Sequence, residues 1–209
     1  MSQIQTQQEL DDFYKNPDPW AYKSNPDDIR RRHELLACLP NNKYQRVLDI
    51  GCGNGFLTSQ LPGSEVIGVD LSASAVDWAK ESVSEVADSS RFKFQQASIF
   101  ELKSEKLGKF DLIISNPPYI KKSDIETLEP EVSIYEPYIA LDGGDDGLGC
   151  YRRLAPQIMD LLNKCGYAVF EFGKRQHDDV RAIFEYAGMR FVSFGNDISS
   201  EPRCVVFSR

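Results

Sequence analysis

From residue 46 onward the chain alternates between two hydrophobic periods. Short apolar runs at 46–48, 65–69, 92–94, 110–115 and 166–172 read as strands. Between them, apolar residues recur at helical spacing. Val76, Ala79, Val83 and Val86 do so within 73–86; Leu154, Ile158, Leu161 and Leu162 within 151–163; Val180, Ile183, Phe184 and Ala187 within 176–187. Strands that alternate with helices predict a mostly parallel sheet covered on both faces. Two further runs, 191–194 and 204–207, predict a closing hairpin that makes the edge antiparallel. The expected architecture is therefore α/β, a mostly parallel seven-stranded sheet with an antiparallel edge strand.

The first 42 residues follow a different pattern and are expected to form a short N-terminal helical cap on a domain spanning 43–209. A helix over 7–14 is broken by Asn16-Pro17-Asp18-Pro19, and Asn25-Pro26-Asp27-Asp28 starts a second with an N-cap residue, a proline and two acids. Ile29, His33, Leu36 and Leu39 fall near one face of that helix, which predicts a packed, hydrogen-bonded His33. Trp20 and Tyr22, in the intervening loop, either cover core or close over a ligand. Residues 120–149 also break the alternation. They are rich in acids and turn formers, and Asp142-Gly143-Gly144-Asp145-Asp146-Gly147 lacks the register of a calcium loop. A long connection in a compact domain predicts a flap beside a substrate.

Composition narrows the function classes. At 41% hydrophobic and 27% charged, the 209 residues suit one globular domain with a sizeable core. The net charge of −8 argues against a nucleic-acid binder, and Arg30-Arg31-Arg32 reads as a solvated stretch of helix. Five scattered cysteines without a C-x-x-C imply reduced thiols in a cytoplasmic protein, and the two histidines sit at no metal-ligand spacing, so no metal is expected. No apolar run approaches a membrane span. The polar first residues carry no targeting pattern, and oligomeric state is not legible.

The chemistry concentrates at two strand ends. Asp49-Ile50-Gly51-Cys52-Gly53-Asn54-Gly55 lies at a strand-to-helix switch, where glycines let a ligand approach the backbone, and the next strand ends in Asp70, placed to hold a ribose. Phe56 stands where the dinucleotide fingerprint needs glycine. Asp49 is placed to hold an ammonium and would repel a pyrophosphate. D-x-G-x-G-x-G with an acid after the next strand resembles the S-adenosylmethionine site of Rossmann-like methyltransferases. That resemblance implies cofactor contacts from Asp49, Gly51, Cys52, Gly53, Asp70, Leu71, Ser98, Ile99 and Asn116.

The second strand end is Asn116-Pro117-Pro118-Tyr119. Two prolines fix the turn and remove two donors, leaving carbonyls that can receive both hydrogens of a planar –NH2 group. From about Asp111 to the C-terminus the chain resembles the protein-glutamine N-methyltransferases of peptide-chain release factors. The carriers are Asn116-Pro117-Pro118-Tyr119-Ile120, Glu131-Val132, Tyr135-Glu136-Pro137, Ala140-Leu141, Gly143-Gly144-x-x-Gly147-Leu148, Glu171-x-Gly173-x-x-Gln176, and Asp197 before Arg203-Cys204-Val205-Val206. The resemblance implies methyl transfer to the glutamine amide of a Gly-Gly-Gln loop, a release factor as protein partner, Asn116, Pro117 and Tyr119 as catalytic residues, and Pro118 and Glu136 beside them on the substrate. Residues 1–110, with Asn16-Pro17-Asp18-Pro19-Trp20, look more like small-molecule N-methyltransferases of the nodulation-factor type. Ser98 stands where the glutamine enzymes often carry an acid. The chain thus reads as a hybrid with a join near the fourth strand. Those enzymes usually carry a larger helical bundle ahead of the domain, so weaker docking of a large protein is expected. The alternatives are transfer to an adenine exocyclic amine or a small amine, or an inactive cofactor-binding protein.

Overall fold

The computed structural model describes residues 7–19, 24–84, 86–128, 136–197 and 199–209. Trp20, Tyr22, Glu131, Val132 and Tyr135, which the sequence singled out, lie outside the described residues. Seven strands form one sheet: β1 (Arg46–Ile50), β2 (Glu65–Asp70), β3 (Phe92–Gln96), β4 (Phe110–Ser115), β5 (Leu162–Glu171), β6 (Arg190–Asn196) and β7 (Pro202–Ser208), in the order β3-β2-β1-β4-β5-β7-β6. The first five are parallel. β7 runs antiparallel to both β5 and β6, so the antiparallel strand sits one place in from the edge that β6 forms.

Helices α1 (Gln7–Phe13), α2 (Pro26–Ala37), α3 (Ala73–Ser84), α4 (Gly149–Leu161) and α5 (His177–Tyr186) cover the sheet. The strand period of two divides the core between its faces. Leu48, Ile50 and Ile113 pack with Tyr151, Leu154, Ile158 and Phe184 of α4 and α5. Val47, Leu112 and Ile114 pack with Leu35 of α2 and Val83 of α3 on the other side. Buried on both faces, β1, β2 and β4 are almost continuously apolar.

Some details differ from the sequence pattern. Leu35, not His33, is the buried residue of α2, and His33 is exposed, so the inward face is rotated from the one the apolar spacing implied. Strand β5 begins at Leu162, directly after α4, and a register shift between Phe110 and Leu112 absorbs the residues before Gly166. The charged and polar letters at 163–165 conceal that extension. Arg31 is only partly solvated. Its guanidinium forks onto the buried Glu171 at the end of β5, with Nε 3.0 Å from one carboxylate oxygen and Nη2 bonded to the other. Strand order reverses between β1 and β4, and in open α/β sheets the crevice beyond the strand ends at that point is where ligands bind.

Candidate active site

Beyond β1 the backbone doubles over β2: the N–H groups of Gly51 and Cys52 both donate to the Val69 carbonyl, at 2.8 and 3.0 Å. The turn needs left-handed backbone at Gly51 (φ +76°) and Gly55 (φ +80°), which glycine adopts without a Cβ penalty. A Cβ on Gly51 would meet no protein atom within 4 Å, so this glycine faces open space. A Cβ on Gly55 would lie 2.9 Å from the Ala79 backbone, so that glycine seats the turn against α3.

Two buried carboxylates flank the turn. Asp49, at the end of β1, accepts a 2.6 Å hydrogen bond from Thr58 Oγ1. Burial pushes its carboxyl up to about 6; the Thr58 hydroxyl opposes that, and the Asp70 charge adds to it. Asp70, at the end of β2, accepts from the Gly53 N–H at 2.8 Å and the Ser72 N–H at 2.9 Å. Burial raises it too, and these amide bonds hold it back. The Cys52 thiol is pushed well up by burial and then by both acids, which keeps it protonated. Ser98 Oγ accepts from the Phe100 N–H at 3.3 Å, bending the chain after β3.

The N-terminal segment is tied across this end. Ser72 Oγ donates to Asp11 at 2.6 Å, Trp78 Nε1 to the Tyr14 carbonyl at 2.7 Å, and Asn54 Nδ2 to the Pro17 carbonyl at 3.1 Å. Tyr14 is buried, and its hydroxyl would lie 2.9 Å from a Cβ on Gly53. Thr58 and Tyr14 are parts of the site that the sequence did not announce, since neither lies at a spacing that ties it to Asp49 or Gly53.

The other end of the site begins where β4 stops. Ser115 Oγ donates to the Ile50 carbonyl at 2.9 Å, locking the ends of β4 and β1 together. Asn116 then projects, exposed, while Pro117 behind it is buried. Neither the Asn116 side-chain oxygen nor the Pro117 carbonyl takes a hydrogen bond from a described residue. Burial raises the Tyr119 phenol, and the Glu171 charge adds to it while Arg31 and Arg203 oppose it, so the hydroxyl keeps its proton at neutral pH. Residues 141–144 are not a free flap. Ile120 N–H donates to the Leu141 carbonyl at 3.0 Å, Gly143 N–H to the Ile120 carbonyl at 2.8 Å and Lys122 N–H to the Gly144 carbonyl at 3.0 Å, so the segment braces the turn.

One cleft of about 1930 Å³ runs between the two ends. Asp49, Gly51, Cys52, Gly53, Asp70, Leu71, Ser98 and Ile99 line one part of it, and Asn116, Pro117, Pro118, Tyr119 and Glu136 the other, so the residues expected to contact cofactor and substrate all reach it. The volume exceeds that of an ordinary single-ligand pocket, leaving space for a nucleoside and a second reactant together. Among the described residues no cluster of His, Cys, Asp or Glu could hold a metal, and no helix is long and apolar enough to cross a membrane.

Comparison with known proteins agrees with this geometry. A profile described as "Methyltransferase domain" matches residues 41–178. The release factor glutamine methyltransferase of Caulobacter vibrioides is 37% identical over 179 residues, which are 83% of this chain and 61% of that protein. Its counterpart in Geobacter sulfurreducens is 41% identical over 146 residues, 68% of this chain and 50% of that one. The chain thus spans roughly half to three-fifths of the length of these relatives. The longer match cannot fit between Asp111 and the C-terminus, so the likeness runs into the first half and needs no join at the fourth strand. Among solved structures, the N-methyltransferase NodS from Bradyrhizobium japonicum, in complex with S-adenosyl-L-homocysteine, superposes with a TM-score of 0.67 at 19% identity, over 97% of both chains. The fold is Rossmann-like, and the chain belongs to the methyltransferase-domain family.

Proposed function

We propose that this protein is an S-adenosylmethionine-dependent N-methyltransferase whose substrate is the side-chain amide of a glutamine in the Gly-Gly-Gln loop of a peptide-chain release factor. The observation that carries this reading is that the acceptors of Asn116 and Pro117, which take no hydrogen bond from a described residue, open into the same cleft as Asp49 and Asp70. The names of the relatives support the substrate.

The residues fit the cofactor. Each Asp70 oxygen accepts one backbone amide and has a second lone pair for a ribose hydroxyl. The space before Gly51 admits a ligand against the main chain. Asp49, once ionised, is an acceptor for an ammonium. When bound, S-adenosylmethionine supplies a methyl group already activated on a sulfonium. In this reading 1–42 is a cap, whose Asp11, Tyr14 and Pro17 are tied to the cofactor end, and 43–209 is the transfer domain.

An amide nitrogen is a weak nucleophile because its lone pair is delocalised. The Asn116 side-chain oxygen and the Pro117 carbonyl accept its two hydrogens and aim the lone pair at the methyl. Catalysis is then largely positioning and electrostatic support of the charge that develops on nitrogen. The alkylated nitrogen is far more acidic than an amide and loses its proton without a dedicated base. Tyr119, a neutral phenol, and Pro118 wall the amide.

The test is to incubate the protein with S-adenosylmethionine and, separately, a release factor, an adenine-containing oligonucleotide and a panel of small amines, and to locate the methyl by mass spectrometry. The reading expects it on the loop glutamine alone. An unmodified release factor beside a methylated adenine or amine contradicts it.

A further inference from the structure

The Asn116–Tyr119 turn cannot hold itself. Pro117 and Pro118 have no N–H, so its position has to be fixed from outside. Besides the brace from 141–144, the side chain that holds it is Gln176. Its Oε1 accepts the Gly173 N–H at 2.8 Å, and its Nε2 donates to the Tyr119 carbonyl at 2.9 Å and the Gly147 carbonyl at 3.3 Å. Both hydrogens of the carboxamide and one lone pair of its oxygen are thereby used, and three segments meet on it: the turn after β4, the glycine-rich segment before α4, and the exit of β5. The space around it admits nothing larger than hydrogen. A Cβ on Gly147 would lie 2.5 Å from the Tyr119 carbonyl oxygen and 2.6 Å from Gln176 Nε2. One on Gly173 would lie 2.8 Å from Gln176 Oε1, and one on Gly143 would lie 2.8 Å from Tyr119 Cα.

We propose that Gln176 is a positioning residue for methyl transfer: it holds the Tyr119 carbonyl, and through the rigid diproline it sets where the acceptors of Asn116 and Pro117 stand. Its chemistry is specific. The site presents two carbonyls and one N–H, which a primary carboxamide matches. A carboxylate would set lone pairs against both carbonyls, and an ammonium would leave the Gly173 N–H without an acceptor. Gln176 does not line the cleft, so it acts through the turn and not on a reactant.

The proposal rests on the substrate reading above, and transfer by the unaltered protein tests that reading separately. The experiment compares Gln176→Glu, nearly the same shape without the donors, and Gln176→Met, the same length without polar atoms. It reads turnover on a release factor at saturating cofactor, cofactor affinity by calorimetry, and hydrogen exchange at the Ile120 and Gly143 amides. The expected result in both variants is a turnover lowered by about tenfold or more, an unchanged cofactor affinity, and faster exchange at the two amides. The exchange arm needs no substrate and stands even if the release factor is not methylated. A folded Met variant with wild-type turnover overturns the proposal. So does a Glu variant with unchanged exchange, or an equal loss of cofactor affinity and turnover, which would mark a general structural role.

Discussion

At the end of the cleft formed by β1 and β2, the chemistry is carried by side chains and by glycines at fixed places: Asp49 on Thr58, Asp70 on two backbone amides, Gly51 facing open space. At the end formed by β4 and β5 it is carried mostly by main chain: a diproline turn, a brace of backbone hydrogen bonds from 141–144, and one glutamine side chain holding two carbonyls. In the proposed reading the first end recognises a ligand whose charges and hydroxyls need matching partners, and the second positions a planar group that needs only two well-aimed acceptors. Damage to one end should therefore leave the work of the other largely intact.

The sharpest way to break that division is Asn116→Ala. It removes one of the two proposed acceptors and is expected to lower turnover by about 10²–10³-fold, by analogy with the loss of a single oxyanion donor, while most of the cofactor affinity measured by calorimetry is kept. A parallel loss of affinity would show that the ends are not separable. Asp70→Ala is the mirror experiment. It removes the expected ribose partner and leaves the Gly53 and Ser72 amides without their acceptor. Cofactor binding should weaken by roughly tenfold or more, and saturating cofactor should restore most of the turnover.

A smaller, graded effect follows from Asp49. Its carboxyl stands at about 6 in the folded protein, above its unfolded value, so the stability tied to its protonation is present at low pH and is lost as pH rises through about 6. A ligand ammonium prefers the carboxylate. Cofactor affinity should therefore climb as pH rises toward 7 and fall below about pH 6, approaching about tenfold per pH unit for one proton displaced. Calorimetry in buffers of different ionisation enthalpy would show that proton released on binding near pH 5. A flat profile between pH 5 and 7 would remove Asp49 from ammonium binding. The smallest effect is expected at the seam between the cap and the substrate end. Arg31→Ala strips the buried Glu171 of its fork, but the Arg31 side chain is 42% exposed and solvent moderates the loss. A cost of about 1 kcal/mol would lower the melting midpoint by roughly 2–4 °C.

The contrast between the ends also explains what the sequence revealed. The strands and the helical stripes of α3, α4 and α5 were legible because central strands buried on both faces must be apolar and helices on a sheet must be one-sided. The places of Asp49, Asp70 and the glycines beside the cleft were legible because each stands at a strand end, and those of Asn116 and the prolines for the same reason. The braces were not. Gln176 acts on carbonyls 57 and 29 residues away, and Arg31 reaches a carboxylate 140 residues away. No local periodicity encodes such pairings, so Arg31 read as part of a solvated stretch and 120–149 as a flap beside a substrate, without the brace that 141–144 gives the turn. The inward face of α2 was misplaced because its apolar residues are too few to define a stripe, and packing chose Leu35 over His33.

The most direct test of the central claim, that the acceptors of Asn116 and Pro117 exist to present a glutamine amide, changes the substrate and leaves the enzyme alone. Transfer of radiolabelled methyl from S-adenosylmethionine should be counted on two release factors, one with Gly-Gly-Gln and one with that glutamine replaced by glutamate, which has no –NH2 to present. The account predicts one methyl per molecule on the first and none on the second. Equal labelling of both, or labelling of neither by an enzyme that binds its cofactor, would contradict it.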